Sequence, residues 1–371
     1  MSITLADLLK SSESGRWKDL REFYDAYAAF NAPLQDGVAS LDHTTQQRRH
    51  GHNVAYEGVD GQFTQSWFVV CRSSDVGIGQ VIGRGFLDGQ VAIFRGESGK
   101  ISVVSAYCPH VGAHLGCGNV VGDEIECAFH RWRFDASGRC TKTGCGDPVP
   151  PAARVFKFPT EERFGLIWAF NGETPTWALP DMGALDDELV FLSDVPAIDF
   201  NCDPWIIMAN TLDWNHLKTV HGLDVEIAQN SLEWAPHRVT MKLDTTAPPG
   251  VPFRIELGIF GTSVFWQHGF LGDRWFSYIA ACGIQRPGTC RVYIVIAARR
   301  GDGSSEALQA AQETIRFGLE TELFLISQDM PILNFCRFTK GMLTRSDRQL
   351  GRFVDHVRNF PRAHPSAAFI R

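Results

Sequence analysis

Two short segments of this chain each carry one cysteine and one histidine, and no other feature limits its structure as strongly. Cys108 and His110 stand in Cys-Pro-His, and Cys127 and His130 stand in Cys-Ala-Phe-His, with sixteen residues between His110 and Cys127. Such pairs on two loops can hold one dinuclear iron–sulfur cluster, with the thiolates on one iron and the imidazoles on the other. A structural zinc ion also accepts two cysteines and two histidines, but zinc sites usually pair Cys with Cys and His with His along the chain. The pattern favours the 2Fe–2S cluster.

Length and composition set wider limits. The chain has 371 residues, enough for two or three domains, and its 44% hydrophobic and 21% charged residues are typical of a globular protein. A net charge of −7 without a basic cluster argues against nucleic acid as the main partner. Apolar runs such as 292–298 are too short to span a bilayer, and residues 1–10 lack a secretory signal pattern. These features predict a cytoplasmic protein without a membrane span.

The ten cysteines of such a protein are expected to be metal ligands and buried thiols rather than disulfides. Apart from the two predicted cluster ligands, six are predicted to pack in the interior: Cys71, Cys117, Cys202, Cys282, Cys290 and Cys336. Cys140 and Cys145 follow the second cluster loop and are predicted to be structural.

The order of hydrophobic patterns predicts three segments and an α+β fold. Residues 1–65 read as an N-terminal helix, with aromatic residues at three- and four-residue steps between Trp17 and Phe30, followed by an extended arm. Residues 66–175 read as a small all-β domain that carries the cluster, with strands predicted at 67–70, 91–94, 101–104 and 165–170. Residues 176–371 read as a larger catalytic domain with an antiparallel sheet flanked by helices, in a helix-grip-like arrangement. Strands are predicted at 253–260, 264–268, 275–280 and 291–298, and a helix is predicted to follow, with Leu308, Ile315, Leu319, Leu323 and Ile326 close to one face. The final part of this domain, 341–371, is expected to be a docking strip or a frayed end.

A second group of metal-binding side chains follows in the third segment, where the sequence reads Asp-Trp-Asn-His from Asp213 to His216 and reaches His221 five residues later. Asp213 and His216 are three residues apart and would share a helical face. His221 would lie about 140° around a regular helix, so both imidazoles can bind one metal only if the helix loosens or breaks. Gly222 is well placed to end it. Two histidines and one carboxylate form the facial triad of non-haem Fe(II) oxygenases.

The second cluster loop resembles that of the Rieske non-haem iron oxygenases. The resemblance rests on Cys127 to Trp132, followed by Phe134-Asp135 and Gly138, and on the order of the two motifs, and it covers about residues 66–335. Asp-Met-Pro-Ile at Asp329 and Val-Gly-Asp-Glu-Ile-Glu before Cys127 look most like the ketosteroid hydroxylase and cholesterol desaturase branch. The residue after His130 is Arg131, where the family commonly has glycine.

The resemblance implies further site residues. Asp329, near the end of a predicted helix and two residues before a proline, corresponds to the third iron ligand, with Glu320 and Glu322 as alternatives. The family is also expected to form a homotrimer arranged head to tail. Asp213 would then link His130 of a neighbouring subunit to His216 of its own chain, and Asn210 is assigned to the catalytic site with it.

The resemblance also implies the activity. The expected protein is the terminal oxygenase component of a Rieske system, which uses dioxygen to monohydroxylate a hydrophobic cyclic or aromatic small molecule at a mononuclear Fe(II). Ring cis-dihydroxylation, demethylation and desaturation use the same ligands and remain alternatives. The chain has no flavin or nicotinamide fingerprint, so electrons from NAD(P)H would arrive through a separate reductase and possibly a ferredoxin. A Rieske electron carrier without oxygenase activity is the alternative from another class.

Overall fold

The computed structural model describes residues 2–3, 56–223, 232–247, 251–334, 338 and 342–371. The predicted N-terminal helix and most of the predicted arm lie outside these residues, as does Cys336. Within the described ranges, no helix has the length and apolar character needed to cross a bilayer.

The chain forms two compact units. The small-sheet unit contains Glu57–Ala178, Cys282–Arg291 and Phe360–Arg371. The large-sheet unit includes Leu179–Ala281 and Val292–Asn359. The predicted domain boundaries after residues 65 and 175 remain predictions.

The small-sheet unit is built from short antiparallel strands joined by tight turns. One four-stranded sheet holds, in spatial order, Lys157–Phe158, Ile101–Ser105, Gly89–Arg95 and Val81–Phe86. A three-stranded sheet holds Thr160–Arg163, Leu166–Phe170 and Trp67–Arg72. A second four-stranded sheet holds Cys140–Lys142, Arg133–Phe134, Glu124–Glu126 and Asn119–Val121. Phe63–Thr64 pairs with Arg362–Ala363. The predicted strands at 67–70, 91–94, 101–104 and 165–170 are confirmed, because β-branched and aromatic side chains there pack into a continuous core.

The large-sheet unit is organised around one long, mainly antiparallel sheet with a parallel pair at its edge. Its described strands, in spatial order, are Ser2–Ile3, Leu189–Leu192, Thr289–Arg299, Arg274–Arg286, Val264–Leu271, Val251–Phe260, Arg238–Ala247 and Leu232–Ala235, with Ile198–Phe200 also pairing to Thr289–Arg299. The four strands predicted between residues 253 and 298 are confirmed, and so is the α+β fold class.

Five α-helices are described in the chain. They are α1 Pro204–Ala209, α2 Trp214–Thr219, α3 Ser305–Leu333, α4 Arg348–Asn359 and α5 Ala367–Ile370. The long helix α3 begins at Ser304, whose side chain accepts a hydrogen bond from the Ala307 N–H. Its predicted apolar face is buried at Ile315, Leu319 and Leu323. The helix continues past Pro331 and ends at Leu333, so Asp329 lies inside its last turns.

Of the two expectations for the C-terminal part, a docking strip or a frayed end, the frayed end is wrong for residues 342–371. Leu350, Phe353, Val354 and Val357 recur at three- and four-residue steps on α4 and are all buried. That spacing is typical of an amphipathic helix, and the arginine-rich composition of residues 341–371 obscured it.

The last residues of the chain are fixed by one carboxylate. Asp88 accepts a 2.7 Å contact from His364 Nε2 and hydrogen bonds of 3.0 and 2.7 Å from the Arg371 guanidinium. Burial raises the pKa of Asp88, but these hydrogen bonds outweigh burial and hold its pKa below the ordinary value. The charged form of Asp88 therefore stabilises the folded state.

Replacing Asp88 with asparagine is expected to lower the free energy of unfolding at pH 7 by about 1–2 kcal/mol. Because the folded-state pKa is depressed, this contribution is present above the unfolded pKa of about 4 and is lost as pH falls through the lower folded value. Urea unfolding at pH 7 and at pH 3 measures the change. The exposed Glu161→Gln is the matched control, expected within about 0.5 kcal/mol of wild type at both pH values. If the loss of unfolding free energy in Asp88→Asn is as large at pH 3 as at pH 7, the charged form of Asp88 does not stabilise the folded state.

Candidate metal centres

Two loops of the small-sheet unit present the predicted cluster ligands. The Cys108 N–H donates to the Ala113 carbonyl over 2.9 Å and closes the first loop. The Cys127 N–H donates to the Trp132 carbonyl over 2.8 Å and closes the second. Each cysteine is thus held by its backbone at the base of its loop.

The four side chains separate into a buried and an exposed pair. Cys108 and Cys127 are 3% and 1% exposed, whereas His110 and His130 are exposed. The two imidazoles lie edge to face with ring centroids 4.6 Å apart, and His110 stacks on Trp132 at an interplanar angle of 8°. This places two thiols side by side on the protein side and two imidazoles on the solvent side.

This donor set fits a 2Fe–2S cluster. Burial raises the pKa of the Cys108 thiol to about 12, with the neighbouring Cys127 side chain contributing, so a thiolate at Cys108 requires a strongly cationic partner. A single zinc ion would draw all four ligand atoms to within about 4 Å of one another. Cys108, His110, Cys127 and His130 do not form such a group, whereas a dinuclear cluster spreads its ligands over two metals.

A short break in the chain positions the second set of predicted ligands. A 3₁₀ turn, Asn210–Leu212, follows α1, and Asp213 begins α2 by accepting a 3.0 Å hydrogen bond from the His216 N–H. The helix ends at Thr219, and His221 lies beyond it. The prediction that the helix breaks between the two histidines is confirmed. The prediction that Asp213 and His216 share a helical face is wrong, because Asp213 is the N-cap, where a carboxylate accepts backbone N–H groups.

The structure brings His216, His221 and Asp329 together. The two Nε2 atoms are 2.9 Å apart, and Asp329 Oδ1 lies 3.1 Å from His216 Nε2 and 3.2 Å from His221 Nε2. Two ligands at right angles on a metal with bonds of about 2.1 Å would be about 3.0 Å apart, as on one face of an octahedron. Asp329 Oδ1 is buried and has no well-formed hydrogen bond in spite of these distances. The three atoms therefore fit one metal ion.

Two neighbouring side chains orient these ligands. His221 Nδ1 lies 2.9 Å from Gln328 Oε1, so an Nδ1–H would donate to Gln328 and leave Nε2 for the metal. Asn210 Nδ2 donates to Asp329 Oδ2 over 3.1 Å and turns the other oxygen, Oδ1, towards the histidines. Sequence reasoning assigned Asn210 to this site and missed Gln328, whose only local signal is its position next to Asp329.

The electrostatics of the three side chains are coupled. Burial raises the pKa of Asp329, but hydrogen bonding and charge interactions with His216 and His221 outweigh it and lower that pKa. Burial lowers the pKa of His221, but its contacts with Asp329 and Gln328 outweigh burial and raise it. Glu320 and Glu322, the alternative ligands, are not part of the group.

Comparisons with known proteins agree with the iron–sulfur centre. The model of the Rieske [2Fe-2S] domain matches residues 66–158. The chain is 35% identical over 129 residues to the cholesterol 7-desaturase nvd of Bombyx mori, covering 34% of this chain and 28% of that protein. It is 31% identical over 197 residues to the chloroacetanilide N-alkylformylase oxygenase component of Rhizorhabdus wittichii, covering 50% of this chain and 56% of that protein.

Residues 66–158 therefore form a Rieske [2Fe-2S] domain, and the chain is similar in sequence to a desaturase and to an oxygenase component. Its matches span about a quarter to just over half of the length of these two relatives. The fold is also that of dicamba monooxygenase solved with non-haem iron and dicamba, with a TM-score of 0.56, 18% identity, and 80% and 96% of the two chains covered.

One residue of the Rieske domain departs from the family pattern. Arg131 has φ 57°, in the left-handed region that glycine adopts without cost. Its guanidinium bonds Glu126 at 3.1 Å, and Arg133 bonds the same carboxylate at 2.8 Å. Arg131 is largely exposed, so the structure places a basic group beside the exposed His130.

The remaining cysteines are mostly buried, as predicted, at Cys71, Cys202, Cys282 and Cys290. Cys117 is exposed, so its predicted packing role is wrong. Cys140 is half-buried and Cys145 is exposed, and both are free thiols, so neither forms a structural disulfide.

A cavity of about 260 Å³ opens beside the three grouped ligands in the large-sheet unit. His216, His221 and Asp329 lie on its wall. The rest of the wall is mainly apolar and comes from alternate residues of neighbouring strands and from one face of α3. These include Met241, Ile255, Leu257, Phe265, Phe276, Ala280, Leu325 and Ile326.

Proposed function

We propose that this protein is the terminal oxygenase component of a Rieske non-haem iron system, acting on a hydrophobic cyclic or aromatic small molecule. One observation carries the proposal: three side chains with the spacing of a facial triad line an apolar cavity. Cys108, His110, Cys127 and His130 hold the 2Fe–2S cluster, and His216, His221 and Asp329 hold mononuclear Fe(II). When bound, the cluster supplies single electrons and the iron supplies open positions for activating dioxygen.

The chain's own residues bind the substrate and orient the metal ligands. The apolar wall excludes water from the reacting carbon and holds an uncharged substrate through buried apolar area. Asn210 and Gln328 keep the carboxylate and imidazole ligands in one geometry. A cavity of about 260 Å³ suits one or two rings, since one of about 150 Å³ accepts benzene. We favour monohydroxylation. Cis-dihydroxylation, demethylation and desaturation use the same residues.

The proposed assembly is a head-to-tail homotrimer fed by a separate reductase, possibly through a ferredoxin. Exposed imidazoles at His110 and His130 leave the histidine side of the cluster accessible to another chain. Val111 and Phe129 flank them and are 58% and 65% exposed, which is typical of a surface that meets a partner. Asp213 of one subunit would then link His216 to His130 of the next. NAD(P)H would act only through the reductase, and a cytoplasmic location remains a prediction.

The alternative is a Rieske electron carrier, which needs only the cluster. Iron and acid-labile sulfide measured per chain on protein purified without air separate the two functions. The oxygenase is expected to hold about three irons and about two sulfides, and a carrier about two of each. His216→Ala is expected to reduce the iron to about two without changing the sulfide. Two irons in the wild type, even after Fe(II) is added, would exclude the oxygenase.

A further inference from the structure

One buried polar pair lies in the cavity wall away from the three iron-site residues. Glu322 on α3 and Gln267 on the strand Val264–Leu271 are 9% and 8% exposed, and both line the cavity. Gln267 Nε2 donates to Glu322 Oε1 over 2.6 Å. The two residues are 55 positions apart in sequence, so only the packing of α3 on the sheet brings them together.

The pair has unused hydrogen-bonding capacity. Among the described residues, nothing else hydrogen-bonds to the Glu322 carboxyl or the Gln267 carboxamide, which leaves Glu322 Oε2 and Gln267 Oε1 available. The neighbouring Thr321 hydroxyl is already committed to the Phe317 carbonyl. Both residues lie on the cavity wall, so an incompletely hydrogen-bonded polar pair in an otherwise apolar wall indicates a ligand group that completes it.

The position of the pair fits recognition at a distance from the reacting atom. Glu322 precedes Asp329 by seven residues, which is two turns on the same face of α3 and about 10 Å along its axis. A ligand of one or two rings can therefore reach the iron site with one end and this pair with the other. Phe265 and Leu271, on the same strand as Gln267, contribute apolar surface on either side of it.

The environment favours a neutral partner over a cation. Burial raises the pKa of Glu322 to about 7, against the opposing effects of the Gln267 hydrogen bond and the charge of His221. The protonated acid donates one hydrogen bond, and the Gln267 carbonyl accepts one. A hydroxyl group, which both accepts and donates, matches this pair.

We propose that Glu322 and Gln267 form a polar subsite that recognises a hydroxyl group on an otherwise apolar substrate, at the end away from the iron site. The proposal rests on the proposed function, because it takes the cavity as the substrate site. It adds a substrate class: neutral cyclic alcohols.

Binding of three matched probes to protein that holds cluster and iron tests the subsite. Dissociation constants for indane, indan-2-ol and 2-aminoindane are measured calorimetrically on the wild type, Glu322→Leu and Glu322→Gln. The wild type is expected to bind indan-2-ol about tenfold more tightly than indane. Glu322→Leu is expected to abolish that preference with little change for indane, and Glu322→Gln is expected to retain most of it. Gln267→Leu should act in the same direction as Glu322→Leu.

The other outcomes are distinct. Equal affinity of the wild type for indane and indan-2-ol overturns the subsite and leaves the apolar cavity as a binding site. Tightest binding of 2-aminoindane, lost in Glu322→Gln, overturns the hydroxyl assignment in favour of an ammonium group. If none of the probes binds, or if Leu325→Trp in the cavity wall leaves binding unchanged, the cavity is not the substrate site and the proposed function fails with the subsite. If Glu322→Leu still binds indan-2-ol more tightly than indane, the proposal is also overturned.

Discussion

Replacing Asp329 with alanine is expected to remove the mononuclear iron and leave the cluster in place. The variant loses the one carboxylate among the three grouped ligands and leaves two imidazoles, which bind Fe(II) far more weakly. Iron per chain should fall from about three to about two while sulfide and the visible absorbance of the cluster stay constant. Substituting a residue that only orients a metal ligand lowers metal affinity or activity by about 10–100-fold. Because Asp329 is itself a proposed ligand, dioxygen-dependent turnover should fall by at least about 100-fold.

Two acidic residues of the same helix serve as controls for Asp329→Ala. Glu320→Ala removes an alternative ligand predicted from sequence, and Glu313→Ala removes an exposed carboxylate. Both are expected to keep about three irons per chain. Loss of iron in Glu320→Ala, or its retention in Asp329→Ala, would show that the grouped side chains are not the iron site. Thermal unfolding of iron-free protein should be similar in all the variants, which separates loss of a ligand from loss of the fold.

Replacing Asp213 with asparagine is expected to nearly abolish coupled turnover while both metal centres remain loaded. A carboxylate between two metal-bound imidazoles accepts the outer N–H of each, orients both rings and provides a short polar path for an electron. An asparagine offers one oxygen and directs an NH₂ at the second imidazole. We expect a fall of about 100-fold or more in single turnover with pre-reduced cluster, with iron content unchanged.

The local structure at Asp213 allows this variant to isolate the charge. Asp213 caps α2 by accepting the His216 N–H, and asparagine caps helices as well as aspartate does. Asp213→Asn should therefore keep wild-type thermal stability, whereas Asp213→Ala should lose about 1 kcal/mol in addition to activity. Single-turnover kinetics in Asp213→Asn that match the wild type would exclude the bridging role and leave Asp213 as a helix cap alone.

Local sequence predicted the elements that depend on local chemistry. The strands of the small-sheet unit follow from β-branched and aromatic runs bounded by turn residues, and α3 follows from its apolar spacing. The break between His216 and His221 could also be predicted, because their five-residue spacing is incompatible with one metal on an unbroken helix. The N-cap at Asp213 was missed, although an aspartate ahead of a short helix is a common cap.

Long-range packing decided which side chains face the cavity. The sequence alone does not show which aromatic residues of the large-sheet unit line a cavity and which pack in the core, among them Phe260, Phe265, Trp266, Trp275 and Phe276. Phe265 and Phe276 line the cavity, whereas the other three do not. Residues alternate between the two faces of a strand, and only the packing of α3 selects the face that becomes the wall.

The sequence by itself determined the α+β fold class and the two ligand patterns on which the proposed chemistry rests: two Cys–His pairs for an iron–sulfur cluster and a pair of histidines for a second metal. The reason is that the type of each ligand residue and the short spacing between ligands are properties of the local sequence. The tertiary structure alone decided that Asp329 meets Asn210 from 119 residues away, that Gln328 orients His221, and that Glu322 faces Gln267 across the cavity. Those contacts depend on how a helix packs against a sheet, which periodicity cannot specify.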